Sequence, residues 1–520
     1  MSTPAVWAAP AIDAQRSWEV LAAAGALGLT FPLLFWGAAP GVSFPVYVAL
    51  VLAAVWVTAH RQGVSATPSD VVVAGASVLI AGGVAVRADP LTTAANMIVV
   101  LGLLTVLVHA FGDARWLRYG LRDWLLTALR LSSHEVTGAP RLVISARRAR
   151  GPSAEGRRST RVVPLLRGAA LALPVVVVLG VLLAAADAVF AARLAALAVP
   201  LPQVDDAAGQ LVLALVVTYA AAGGLWHLLT RTHDPILGDQ AVPRVLGFTE
   251  AAVVLASVNL LFAGFVVIQL RYFFGGSAGL LADGLTFAEY ARRGFGELVA
   301  VAAVSLTLHL VLAGLTRRET PARRWAFTAL TAVLTGLVLV ILVSAFQRLL
   351  AYEQAFGFTR SRTAAHVFMV WLALLLVVLL GLELAGRVRL FLLASLVAVV
   401  GFAGTLTVVG VDALIVRHNL ARAAQGAELD VAYLQRLSPD AVPALVEALP
   451  TLAPPLAADV TALLDCTGSR TGDWRSQRLA DVRARAAWPA GTGTGDGPGP
   501  PPYGGGRCQL RRAADRSPSG

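Results

Sequence analysis

The sequence predicts an all-α fold, a polytopic transmembrane helical bundle with a short helical tail. Composition is the first reason: 57% of the 520 residues are hydrophobic and only 14% are charged, whereas about a quarter of the residues of a soluble domain are charged. The second reason is that the apolar residues form continuous runs long enough to cross a bilayer. The strands of an outer-membrane barrel would instead alternate apolar and polar residues.

About eleven apolar runs are candidate spans. They lie at about residues 20–36, 44–59, 71–87, 91–111, 168–190, 209–229, 247–270, 295–315, 326–347, 364–386 and 390–416. The first two runs are short, and we expect Pro32 and Pro45 to interrupt them. A tilted hairpin is therefore expected there, which leaves the number of spans open by one or two.

Arginine distribution orients the bundle, because loops rich in basic residues stay in the cytoplasm. The chain has no lysine, and its net charge of +11 comes from arginines. These collect in residues 112–167, 317–324 and 387–389, whereas residues 37–43, 88–90 and 191–208 contain few. With eleven spans, this pattern predicts a multi-pass protein of the inner (cytoplasmic) membrane with its N-terminus inside and its tail outside.

Five regions follow from this reading. They are N-terminal spans (1–111), a basic cytoplasmic loop (112–167), a transmembrane core (168–416), an extracytoplasmic helical tail (417–488) and a disordered Gly/Pro-rich end (489–520). Ser438, Pro439 and Asp440 form a typical helix start, with a capping hydroxyl, a proline in the first turn and an acid at the positive helix end. Two or three short helices are expected over 429–465.

The basic loop contains an amphipathic segment at 113–131, with Trp116 and Trp124 on one helical stripe and arginines largely off it. This pattern favours a helix lying on the membrane surface and binding anionic lipid. Residues 145–161 are basic and expected to be flexible. The simpler alternative is a positively charged anchor and linker; a docking site for an unknown protein partner is a third.

Several functions are disfavoured by what the sequence lacks. Without lysine, neither a Walker A nor a Schiff-base site can form. The histidines lack HExxH spacing, and Cys466 and Cys508 do not form a CxxC pair. No metal or cofactor is therefore expected, and an enzyme is not favoured. Nucleic acid is not expected as a partner, because the arginines lie between spans.

Two outward segments, around 271–293 and 347–360, mix aromatic residues with both charge signs. Their predicted site residues are Arg271, Tyr272, Glu289, Tyr290, Arg292, Arg293, Tyr352, Glu353 and Arg360. Arg293 lies four residues from both Glu289 and Glu297, so these pairs share a helix face. Two hypotheses remain: a structural belt of ion pairs and aromatics, or a site for a ligand or lipid headgroup.

Polar residues within spans are costly and are functional candidates by default. Asn259, His309 and His366 are the predicted intramembrane polar residues, for which interhelical hydrogen bonds are the simpler interpretation. Glu383 and Asp412 lie near span ends, where we expect them to be solvated.

Five segments carry a family resemblance: IQLRYFFGG, LTFAEYARRGFGELV, AYEQAFGFTRSR, AADAVFA and RHNLARA with the following ELDVAYLQRLSPDAVPAL. They resemble a bacterial membrane family catalogued as domain of unknown function 4173, which has a close relative numbered 4153. The resemblance covers roughly residues 165–480, and the first four spans look more variable. It implies a polytopic helical fold and brings neither an activity nor catalytic residues.

Two classes of function stay open. The first is a non-enzymatic membrane scaffold or sensor that links the tail to the basic loop. The second is a transporter, or a protein that handles lipids or envelope precursors, with the outward cluster as its mouth. The sequence favours the first, because transporters usually carry several polar or helix-breaking residues near the midplane and these spans carry few.

Overall fold

The computed structural model describes residues 14–113, 116–117, 121–148, 193, 206–230, 246–282, 295–466 and 473–488. These residues form α-helices, short 3₁₀ turns and one isolated parallel bridge between Leu246 and Thr316. The helices of the described residues are α1 (Ala14–Phe35), α2 (Ser43–Arg61), α3 (Pro68–Val86), α4 (Pro90–Ala110), α5 (Leu121–Arg148), α6 (Asp206–Thr230), α7 (Phe248–Ala282), α8 (Phe295–Leu315), α9 (Pro321–Phe356), α10 (Arg360–Leu384), α11 (Phe391–Val409), α12 (Val411–Ala424), α13 (Val431–Leu434), α14 (Val442–Ala448), α15 (Pro454–Cys466) and α16 (Leu479–Ala487).

Ten of the described helices, α1–α4 and α6–α11, are long and apolar enough to cross a membrane. They coincide with ten of the predicted spans, and the predicted span at 168–190 lies outside the described residues. Large apolar side chains such as Leu79 and Leu260, which are 75% and 76% exposed, are on the surface of these helices, as expected for side chains that face lipid. The predicted fold class is confirmed.

Two details of the predicted spans were wrong. Pro32 lies inside α1 and Pro45 in the first turn of α2, so neither interrupts its helix; a first-turn proline has no intrahelical N–H to lose. The last span ends at Val409 rather than at 416. Gly410, with a positive φ of 66°, ends the helix and turns the chain into the next one. Residues 411–416 belong to α12 and lie outside the span.

The chain divides into two compact units, residues 1–78 with 101–238 and residues 79–100 with 239–520. The helices α3 and α4 each contribute residues to both units.

In the first unit, α1 packs on α6 and α5, and α5 packs on α6. Glycines make the α5–α6 crossing close: a Cβ on Gly223 would lie 2.6 Å from the Cα of Glu135, and one on Gly138 would lie 2.9 Å from the Cα of Gly223. The helix α5 continues through Arg148, so the start of the segment expected to be flexible, 145–148, is helical. Leu142 and Ala146 on this helix are fully buried.

In the second unit, α9 packs against α7, α8 and α10. Their core includes Phe327, Leu334 and Leu349, each at most 2% exposed. A second core joins the tail helices to α10 and α11 and includes Val411, Ile415 and Leu445. We call α12–α16 the C-terminal cap. The short helices expected over 429–465 are confirmed as α13, α14 and α15, with Ser438 accepting a hydrogen bond from the Asp440 amide at the predicted start.

Candidate functional site

A buried arginine–carboxylate pair joins the start of α10 to the cap. Arg360 donates from Nε to Oδ1 of Asp412 at 2.7 Å and from Nη2 to Oδ2 at 2.6 Å. The Asp412 side chain is completely buried, and its Oδ2 also accepts the backbone N–H of Ser438 at 2.7 Å. Two parallel charge-assisted bonds fix both groups in one plane. Asp412 was expected to be solvated; α12 and the Ser438 turn bury it instead.

The turn between α9 and α10 is held by the same part of the cap. Asn419 accepts the amide of Phe358 at 2.8 Å and donates to its carbonyl at 3.1 Å. Arg422 donates to the carbonyls of Gln354 and Ala355 at the end of α9, which satisfies carbonyls that have no partner within the helix. The turn itself is made by Gly357, whose φ is 82°.

A second ion pair connects the cap to the turn between α3 and α4. Arg87 Nη1 lies 3.3 Å from Oδ1 of Asp440, and the Ala88 amide donates to Oδ2 at 2.6 Å. Arg87 also donates to the carbonyls of Thr407 and Val408 at the end of α11. This approach requires glycine at 410, where a Cβ would lie 2.6 Å from Arg87 Nη1.

A third carboxylate, Asp89, lies in the same turn as Arg87, and burial disfavours its charge. Its Oδ1 accepts the amide of Thr92 at 2.8 Å and caps α4, but its Oδ2 is buried and has no hydrogen-bond partner among the described residues. Burial raises the pKa of the Asp89 carboxyl, and the nearby charges of Asp412 and Asp440 raise it further. We call Arg87, Asp89, Arg360, Asp412 and Asp440 the cap junction.

The cap junction fixes the cap in one place on the helices of its unit. Buried ion pairs contribute little net stability because desolvation offsets their attraction, but the loss of one partner is strongly destabilising. Our hypothesis is that this network selects one docking geometry of the cap more than it adds stability. Arg478, which donates to the Ala88 carbonyl at 3.1 Å, brings the last described helix to the same place.

Two further clusters of ionisable groups are buried near opposite ends of α9 and α10. Arg318 pairs with Glu383, and His309 Nε2 lies 4.0 Å from Oε2 of the same carboxylate. Near the other ends of these helices, His366 Nδ1 lies 3.4 Å from Oε2 of Glu353, which is fully buried. The expectation that Glu383 is solvated was wrong: it is 6% exposed, because α8 and the Arg318 side chain cover it.

The remaining predicted site residues have varied surroundings. Asn259 donates to the Leu330 carbonyl at 2.9 Å, which is the interhelical bond that its position favoured. Tyr352 lies under the guanidinium of Arg362, with 4.1 Å from the Arg362 Cζ to its ring centre. The outward cluster as a whole stays a prediction: Glu289, Tyr290, Arg292 and Arg293, and the side chains of Arg271 and Tyr272, lie outside the described residues.

Three histidines of the first unit form a chain that the sequence did not reveal. His227 on α6 lies between the other two, with Nε2 3.0 Å from Nδ1 of His109 on α4 and Nδ1 2.8 Å from Nδ1 of His134 on α5. Each contact uses a different ring nitrogen of His227, so one metal ion cannot bind all three rings as they stand. The chain can instead pass a proton from ring to ring. No spacing signal could find it, since 118 residues separate His109 from His227.

The fold and these buried polar contacts define a polytopic α-helical membrane protein with a C-terminal cap. The chain belongs to the family described as "Domain of unknown function (DUF4153)", whose sequence profile matches residues 74–448. The quoted segments suggested family 4173, of which family 4153 is a close relative. Membership of family 4173 is not confirmed. No curated protein and no solved structure matches the chain.

The matched residues include the whole cap junction, from Arg87 to Asp440. The match begins within α3, so it includes part of the N-terminal spans that looked variable. Two of the quoted segments, AYEQAFGFTRSR and the one that begins RHNLARA, contact each other through Asn419–Phe358 and Arg422–Gln354.

Proposed function

We propose that this protein is a non-enzymatic scaffold or sensor of the inner membrane, in which the cap is an extracytoplasmic head fixed to the membrane helices. The observation that carries the proposal is the Arg360–Asp412 pair with the Ser438 amide on the same carboxylate. A cap that is only a loosely attached tail does not need a buried charge pair where it meets the membrane helices. A cap that must keep or report one orientation does need such a pair.

The helices α3 and α4, which run from the cap junction into the first unit, support this role. The turn between α3 and α4 carries Arg87 and Asp89 of the cap junction, and both helices continue into the first unit. Packed helices move as rigid elements, so a change at the turn is expected to move both helices. In this proposal the head senses or binds an extracytoplasmic partner, and the spans relay its state to the basic cytoplasmic loop.

A transporter is the second candidate, and one observation favours it. Glu353 with His366, and Glu383 with Arg318 and His309, place buried ionisable groups near opposite ends of α9 and α10. Buried carboxylate–histidine pairs within spans often mark ion or proton pathways. Such a pathway would depend on Glu353, whereas the scaffold would depend on the cap junction.

Complementation of a gene deletion separates the two candidates. Asp412→Asn leaves Arg360 without its charge partner, and we expect it to lower the free energy of unfolding by about 3–5 kcal/mol and to abolish complementation. Glu353→Gln, which is nearly isosteric, is expected to complement. Glu447→Gln is the matched control, because Glu447 forms an exposed ion pair with Arg417 on the same cap.

Membrane insertion and thermal unfolding are measured for each variant. Failure of Glu353→Gln with wild-type unfolding, together with complementation by Asp412→Asn, would replace the scaffold with the transporter.

A further inference from the structure

We propose that a groove between α1, α2 and the end of α6 binds the headgroup and upper acyl chain of an anionic phospholipid. The groove has a volume of about 270 Å³. It lies within the first unit, and none of its lining residues belongs to the cap junction or to the segment 113–131. The inference does not rest on the proposed function.

Helical spacing places the groove at the ends of two spans. Ala23 lies one turn after Glu19 and Val20 along α1, and Val57 and Arg61 are one turn apart at the end of α2. These are the first turns of one span and the last turns of the next. Lipid headgroups meet a transmembrane helix at this level, so a phosphate group is always near the groove.

The rim of the groove is basic. Arg16 and Arg61 line it together with one carboxylate, Glu19, whose Oε2 lies 2.8 Å from Nη1 of Arg61. The two guanidinium groups exceed the single carboxylate, which leaves positive charge for an anion. A guanidinium group offers a planar fork of donors that matches phosphate oxygens.

A buried donor points to a ligand independently of the arginines. The Nε2 atom of Gln62, which lines the groove, is inaccessible to water and has no hydrogen-bond partner among the described residues. A buried amide without a partner destabilises the fold. If the Gln62 side chain rotates toward the groove, a phosphate or ester oxygen of a bound lipid accepts its hydrogen bond.

The apolar wall distinguishes a lipid from a free anion. Val20, Ala23, Val57 and Leu229 form the side of the groove, and a free phosphate ion would gain nothing from them. The volume is slightly below the roughly 300–1,000 Å³ of pockets that enclose small molecules. The groove therefore suits a headgroup and the first methylenes of a chain whose remainder stays in the bilayer.

Lipid affinity of the purified full chain tests the proposal by native mass spectrometry, with phosphatidylglycerol against phosphatidylcholine. The wild type is expected to retain phosphatidylglycerol preferentially. Arg16→Gln with Arg61→Gln is expected to weaken that binding about tenfold or more, at roughly 1 kcal/mol per arginine near an anionic lipid. The control, Arg323→Gln with Arg417→Gln, removes the same charge from exposed positions elsewhere and is expected to leave affinity unchanged.

Two further variants separate recognition of the lipid headgroup from recognition of its acyl chain. Glu19→Gln removes the carboxylate that repels phosphate, so it is expected to tighten binding, a gain that misfolding cannot produce. Ala23→Phe fills the apolar wall without a change of charge and is expected to weaken phosphatidylglycerol binding. Unchanged affinity in both the double arginine variant and Glu19→Gln would overturn the proposal. Equal competition by soluble glycerol phosphate would overturn the lipid assignment and leave a free-anion site.

Discussion

Asp89 shows at the scale of one residue how the cap junction treats charge. Arg360 and Arg87 neutralise Asp412 and Asp440 directly. Among the described residues Asp89 forms no salt bridge, and its Oδ1 accepts the Thr92 amide. Its raised pKa means that the folded protein binds the proton more tightly than the unfolded chain does. Ionisation of Asp89 therefore destabilises the fold as pH rises from the ordinary aspartate range through the raised pKa.

We expect Asp89→Asn to raise the free energy of unfolding at pH 7, because it removes a charge that burial and the neighbouring carboxylates disfavour. Asparagine keeps the acceptor that caps α4. The difference from wild type should vanish below about pH 4, where the unfolded carboxyl is also protonated. Thermal unfolding in detergent across pH 4–8 measures it. Destabilisation at pH 7 would mean that the fold uses the charge of Asp89 to balance the nearby arginines.

At the scale of elements, the α5–α6 crossing depends on the absence of side chains at Gly138 and Gly223. This crossing brings His134 to His227 and places Glu135 over Gly223 and Gly224. Burial raises the pKa of Glu135 to about 7, so its charge opposes this packing as pH rises from the usual glutamate range to neutrality. The amphipathic pattern predicted a helix only over 113–131, whereas α5 continues to Arg148 and its small residues decide what it packs against.

Gly223→Ala and Gly224→Ala form a matched pair that tests this packing. A Cβ at 223 would lie 2.6 Å from backbone of α5, so we expect a loss of about 1–3 kcal/mol. A Cβ at 224 would lie 3.4 Å from the Glu135 carboxylate and 3.9 Å from Cγ1 of Val108. Both are side-chain atoms at or near ordinary contact distance, and the flexible Glu135 side chain can move, so little change is expected.

Disulfide formation between Ser17→Cys and Ser145→Cys reports the docking of α5, because the two hydroxyl oxygens lie 2.9 Å apart. Cys466 and Cys508 are first replaced by serine. Equal cross-linking yields in the two glycine variants would show that the crossing tolerates both side chains.

At the scale of the whole molecule, membrane orientation follows from arginine distribution and span count. Three described spans, α9, α10 and α11, separate Glu319 from the cap. An odd number of spans places the two on opposite sides. Because the segment 317–324 holds four arginines, we expect Glu319 to be cytoplasmic and the cap extracytoplasmic.

Cysteines at Glu319 and Glu447, whose side chains are 68% and 74% exposed, test this orientation in the background without native cysteines. An impermeant maleimide added to spheroplasts is expected to label the cysteine at 447 at least tenfold faster, because a bilayer excludes the charged reagent from the other. Lysis should equalise the two rates. Labelling of both in intact spheroplasts would mean that one of the three helices does not cross.

Composition and run length alone determined that this chain is a helical membrane protein, because an apolar run of about 20 residues has no other stable arrangement in lipid. Local patterns also determined the helix start at Ser438, since capping depends on residues adjacent in sequence. The bond of Asn259 followed from the same local logic, because an amide within a span must find a partner.

Only the tertiary structure decided which charges meet. Arg360 was assigned to an outward cluster with Glu353, but it pairs with Asp412, 52 residues later; the rest of that cluster stays a prediction. Arg87 pairs with Asp440 across 353 residues, and His109 with His227 across 118. A sequence pattern reports neighbours within a few turns of one helix, whereas the energy of a buried charge depends on whichever helix packs beside it. Packing decides which helix lies beside a buried charge. The glycines at 223 and 410 contribute, because they let Glu135 and Arg87 from other parts of the chain approach closely.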